Sequence, residues 1–85
     1  MSQFAKLFET KVGEVLCVLD MNGENDAPEI TFTCKPEDLG LCSTKITFED
    51  TDAGASSAQR NFDSLTAEAA LQAVLPIYEL TGHPL

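Results

Sequence analysis

Residues 14–21 set the hardest condition on any fold this chain adopts. Read as a strand, they place Val15, Cys17, Leu19 and Met21 on one side and Leu16 and Val18 on the other. Apolar side chains on both faces mark a strand covered from both sides. In a chain of 85 residues that is hard to provide. One helical layer covers one face. The other needs the N-terminal segment or a second copy of the protein. Phe4, Leu7 and Phe8 offer material for that cover. They fall at i, i+3, i+4, the spacing of one helical face, with Ser2 as a cap. A strand running into the next segment suits them nearly as well.

The following segments alternate more cleanly. Asn22-Gly23 is a strong hairpin signal, since both residues tolerate positive φ. The polar stretch 24–28 behind it argues for a longer loop. Over 29–35, Ile30, Phe32 and Cys34 alternate with Thr31, Thr33 and Lys35, which gives one buried and one wet face. Residues 35–40 read as a turn, with Pro36 at its second position and Gly40 taking a left-handed exit. A third strand, 41–48, puts Cys42, Thr44, Ile46 and Phe48 on one side and Ser43, Lys45 and Thr47 on the other. Thr31, Thr33, Ser43 and Thr47 together predict a hydroxyl-rich solvated face.

The pattern changes at residues 49–52. Acids and a threonine ahead of an alanine-rich stretch fit a helix N-terminus, where orphan amides and the helix dipole favour negative charge. Ala58, Phe62 and Leu65 follow at i, i+4, i+7. Thr66 opens a second helix with Ala67, Ala70, Leu71, Val74, Leu75 and Tyr78 on one face. Pro76 kinks that helix or marks a last short turn. The order of elements predicts an α+β fold: a small antiparallel three-stranded meander, extended by the N-terminal segment if that is a strand, with two C-terminal helices on one face. Length allows a single domain over 1–85, with a frayed tail at 81–85. A domain this small buries roughly 60 % of its unfolded surface.

Charge narrows the function classes. Fourteen acids against five Lys+Arg give a net charge of −9. The bases Lys6, Lys11, Lys35, Lys45 and Arg60 are scattered singly, so no basic patch for nucleic acid is legible. An anionic membrane repels such a chain. The longest apolar run, Val15-Leu16-Cys17-Val18-Leu19, is far short of the roughly 20 residues that span a bilayer. The start lacks the basic and apolar segments of a secretory signal. Three cysteines, an odd number, fit buried free thiols in a reducing compartment. The expected location is cytoplasmic.

The chemistries of catalysis find little support. Glu37, Asp38, Glu49, Asp50 and Asp52 fall in turns and at a helix start, where water reaches them, whereas acid–base work needs desolvated carboxylates. Residues 20–24 and 50–54 each begin like a calcium loop. Neither supplies the glycine at position 6 or the glutamate at position 12. Cys34 and Cys42 are expected as cross-strand neighbours, without the four ligands zinc wants. His83, the one histidine, lies in the tail, so no Ser or Cys has a positioned base. No enzyme activity, cofactor or metal is expected.

Surplus acid lies in three places: the 22–28 loop with Glu24 and Asp26, the 36–40 turn with Glu37 and Asp38, and the 49–52 junction with Glu49, Asp50 and Asp52. Such edges suit docking on a basic, nucleic-acid-binding protein surface, as an inhibitor or regulator that competes with phosphate. In size and charge alone, the chain resembles some phage-encoded antagonists of host enzymes. The alternative is a structural homo-oligomer or a subunit of a larger assembly, with Leu16, Val18, Phe4 and Phe8 at the oligomer face. A blander role for the acids is solubility alone.

Overall fold

The computed structural model describes residues 5–23 and 26–82. Four strands form one antiparallel sheet in sequence order: β1 (Ala5–Thr10), β2 (Gly13–Asp20), β3 (Glu29–Cys34) and β4 (Cys42–Thr47). Two helices follow, α1 (Asp52–Asp63) and α2 (Ala67–Thr81). The fold is α+β, with the N-terminal segment as a fourth strand. Leu7 and Phe8 therefore point to opposite faces of a strand and do not share one helical face. Phe4 and Ser2 lie outside the described residues.

Each connection follows from local chemistry. Lys11 and Val12 close the β1–β2 hairpin, and Gly13 takes φ 106, which a side chain would oppose. Thr10 Oγ1 accepts from the Val12 amide and donates to the Gly13 carbonyl, bracing the turn. The β2–β3 connection is the longer loop, not a two-residue hairpin. Asp20 Oδ1 accepts from the Asn22 amide, and Gly23 N–H donates to the Ala27 carbonyl. Gly23 lies under the Glu29 side chain, and any Cβ there would collide with the carboxylate. The 36–40 turn departs from expectation by one position. Leu39 N–H donates to the Pro36 carbonyl, so Pro36 is the first turn residue. The left-handed conformation falls on Asp38 (φ 66) and not on Gly40.

Both helices begin on a threonine cap. Thr51 accepts from the Gly54 amide at 3.0 Å, and Thr66 from the Ala69 amide at 3.1 Å. Helix α2 continues past the exposed Pro76 to Thr81 and closes on Gly82 in the left-handed conformation. Residues 83–85 of the expected tail lie outside the described residues.

The core is the sealed side of the sheet. Val15, Cys17 and Leu19 of β2 and Ile30, Phe32 and Cys34 of β3 meet Ala58 and Phe62 of α1 and Ala70, Val74 and Tyr78 of α2. Burying side chains of this size contributes about 1.5–3 kcal/mol each. Ala67, expected on the inner face, is exposed. Helix α1 rests on β2 and β3, and α2 lies across all four strands. Two polar ties join sequence-distant parts. Lys6 Nζ donates to the Phe62 and Asp63 carbonyls at 2.7 and 3.2 Å, completing the C-terminus of α1. Tyr78 donates its hydroxyl proton to the Val12 carbonyl at 3.2 Å.

Candidate functional site

A meander alternates its connections between two ends. The 21–28 loop and the β4–α1 junction therefore share one end, and the 11–12 and 35–41 connections share the other. Phe48 N–H donates to the Pro28 carbonyl at 2.8 Å and ties the first pair together. This end gathers Asp20, Asp26, Glu49, Asp50 and Asp52, all exposed. Glu37 and Asp38, also exposed, sit at the opposite end, apart from the others. The three expected acidic edges are thus two: one large and one small. Glu24 lies outside the described residues.

Local forces hold part of the large cluster in place. Asp52 occupies the first turn of α1, where the helix dipole favours an anion. Gly54 lies against the Glu49 carbonyl so closely that no side chain fits between them. The 49–52 segment is thereby pressed onto the start of α1. Glu29, whose row also holds Asp20 and Thr47, is only 9 % exposed. Its Oε2 lies 3.3 Å from Lys45 Nζ and accepts no hydrogen bond among the described residues. A buried carboxylate needs such a cation to offset its desolvation.

The open face of the sheet is the second surface. The register sets Leu7, Leu16, Thr33 and Ser43 in one row and Ala5, Val18, Thr31 and Lys45 in the next. The expected hydroxyl-rich face is there, on β3 and β4. On β1 and β2 the same face is apolar. Leu7 is 59 % and Leu16 40 % exposed, and with Leu41 they line a depression of about 330 Å³. Strand β1 does not lie over this face. It pairs beside β2 as an edge strand and adds Leu7 to it. Phe8 faces the helices, opposite Leu16 and Val18, and packs half-buried against the core. Phe4 is not among the described residues.

A third feature was not legible in the sequence. The helix-facing side of β4 is only partly covered. Ile46 is 50 % exposed, and Phe48 is half-buried. With Leu65, Ala69 and Ala73 they line a groove of about 360 Å³. The short Ala69 and Ala73 side chains of α2 leave this space unfilled.

The buried thiols are held protonated. Burial pushes Cys17 up to about 11, despite the opposing pull of Lys6. Burial likewise raises Cys34, partly offset by its hydrogen bond with Tyr78, and raises Tyr78 itself. Cys34 and Cys42 are direct cross-strand partners, and both are free thiols. Among the described residues, no three Cys, His, Asp or Glu converge as a metal site. No described helix is long and apolar enough to cross a membrane. No family model matches this chain, and no curated protein or solved structure is detectably similar to it.

Proposed function

We propose that this protein is a small, non-catalytic docking module whose acidic end engages a basic surface on another protein. The fitting target is a surface that itself binds nucleic acid, so that docking inhibits or regulates by displacing phosphate. The carrying observation is the convergence of Asp20, Asp26, Glu49, Asp50 and Asp52 at one end of the sheet. The disposition of the bases supports it. Lys6 is tied to the end of α1, and Lys45 lies 3.3 Å from the buried Glu29. Like-signed side chains gathered at one end raise association rates with a complementary surface, in a manner that salt suppresses.

The test is affinity capture from a lysate with wild type and with a Glu49→Lys, Asp50→Lys, Asp52→Lys triple variant. Partners released by heparin, absent from the triple variant, and weakened in nucleic-acid binding by added wild type are expected. Identical capture by both proteins overturns the proposal.

The open apolar row of Leu7 and Leu16 favours a second reading, a homo-oligomer assembled through the outer sheet face. The two readings are compatible, since the acidic end lies outside that row. Sedimentation over a wide concentration range decides whether the association exists.

A further inference from the structure

The edge of β4, the groove beneath it and the neighbouring acids form a continuous surface. The hydrogen-bond parity of the strand follows from one contact. Phe48 donates to the Pro28 carbonyl, its direct partner in the β3–β4 register, which makes that pair a hydrogen-bonded one. Alternation then turns Ile46, Thr44 and Cys42 toward β3, and directs the amides and carbonyls of Ser43, Lys45 and Thr47 out along the edge. No described strand lies beyond β4. Edge strands are usually guarded by proline or an outward lysine. This strand has no proline, and its Lys45 is drawn to Glu29. Beneath the edge lies the apolar groove of Ile46, Phe48, Leu65, Ala69 and Ala73. Glu49, Asp50 and Asp52 stand just past the strand's C-terminal end.

We infer that β4 accepts an extended segment of a basic partner protein as an antiparallel fifth strand. Main-chain hydrogen bonds to Ser43, Lys45 and Thr47 hold the segment. Its alternate side chains differ in kind: apolar ones enter the groove, and small polar ones lie beside the hydroxyl-rich outer face. Antiparallel pairing brings the segment's N-terminal end to Glu49, Asp50 and Asp52, so that end carries Lys or Arg. A second copy of this chain fits poorly. Pairing β4 with itself about Lys45 brings Asp52 toward Asp38 of the second copy. Like charges placed opposite one another destabilise a strand pair. This inference rests on the acidic-docking reading above and gives it a partner type and a binding mode.

The experiment uses a labelled, end-blocked peptide of two lysines followed by alternating valine and threonine, and a control with two glutamates in place of the lysines. Fluorescence anisotropy against wild type is expected to show binding of the lysine peptide at least about tenfold tighter than the control, a difference of about 1.4 kcal/mol. Ser43→Pro removes an outward amide without removing a bond to β3. Ile46→Asp puts a charge at the groove. Each is expected to weaken binding about tenfold or more, with circular dichroism confirming the fold. Amide shift mapping on wild type, which needs no variant, is expected to centre on residues 43–48. Absence of binding by the lysine peptide overturns the inference, as does shift mapping centred elsewhere. Loss on reversal of Glu49, Asp50 and Asp52, with Ser43→Pro and Ile46→Asp unaffected, overturns the strand-and-groove mode and leaves acidic docking standing. Loss in the two β4 variants with none on charge reversal removes the acidic reading, and the inference with it.

Discussion

On the helix-facing side of β2, Val15, Cys17 and Leu19 are sealed; on the other side, Leu16 stays open beside Leu7. Neighbours in one strand thus have unlike environments, and their apolar character does not distinguish them. Coverage by other elements does. Helices α1 and α2 supply it on one side, and no described element supplies it on the other. An apolar residue in a strand reports a demand for cover, and the fold decides whether the same chain meets it.

The sharpest way to break this contrast is Phe32→Ala. Phe32 is 3 % exposed in the middle of the sealed side, and removing it is expected to cost about 3–5 kcal/mol in a urea melt. An unchanged midpoint would show that the sealed side is misidentified.

The sealed side also predicts an alkaline response. Cys17 ionises near 9 when unfolded and near 11 when folded, so the folded state holds its proton more tightly. Stability is therefore full below pH 9 and falls between about 9 and 11, by up to about 1.4 kcal/mol per pH unit. Raised values at Cys34 and Tyr78 act in the same direction. Cys17→Ala, compared with wild type by melts across that range, is expected to lose the share due to this thiol. An equal decline in both would contradict the assignment.

Phe48 tests the margin between the two conditions. The alternation of residues 41–48 gives it the same face as Phe32 and predicts an equal cost. The groove leaves it half-buried, so Phe48→Ala is expected to cost about 1–2 kcal/mol, clearly less than Phe32→Ala in paired urea melts. A cost equal to that of Phe32→Ala would mean that the groove is closed in solution.

The smallest effect belongs to the open face. Leu16→Glu is expected to change monomer stability by about 1 kcal/mol or less, because the side chain is already partly in water. If two copies meet on this face, the same change removes the concentration dependence of sedimentation and melting. Loss of the fold in a wild-type monomer would show that Leu16 is covered after all.

The sequence was most legible where one periodicity acted alone. The alternation around Phe32 and Ile46, the acidic entry to α1 and the Thr66 start of α2 all appear as read, because side-chain period and capping chemistry are local. The N-terminal strand was ambiguous because Leu7 and Phe8, beside Phe4, satisfy a helical spacing while belonging to opposite strand faces. Pairing with β2, a tertiary event, resolves it. Of the candidate site, the acids of residues 49–52 were legible as a helix entry. Their union with Asp20 and Asp26 needed the topology. The groove under β4 left no signal, since alanines in α2 look the same whether they pack tightly or leave a space. The lysine tie to α1 was equally silent, a single base in a scattered set.

That tie bears on how the molecule opens. The β1–β2 turn and the 36–40 turn join strands close in sequence, and such hairpins form within microseconds. Lys6 to Phe62 and Tyr78 to Val12 span 56 and 66 residues, so they close only after the intervening chain has folded back. Strand β1 is thus held on one side by a local hairpin and along its inner face by the last elements of the chain. Undocking α2 removes the Val12 anchor and much of the cover from β1, while β2 and β3 keep each other as partners. Amide exchange should therefore follow two rhythms, with β1 and α2 exposing their hydrogens together and the central pair holding on until the whole domain unfolds.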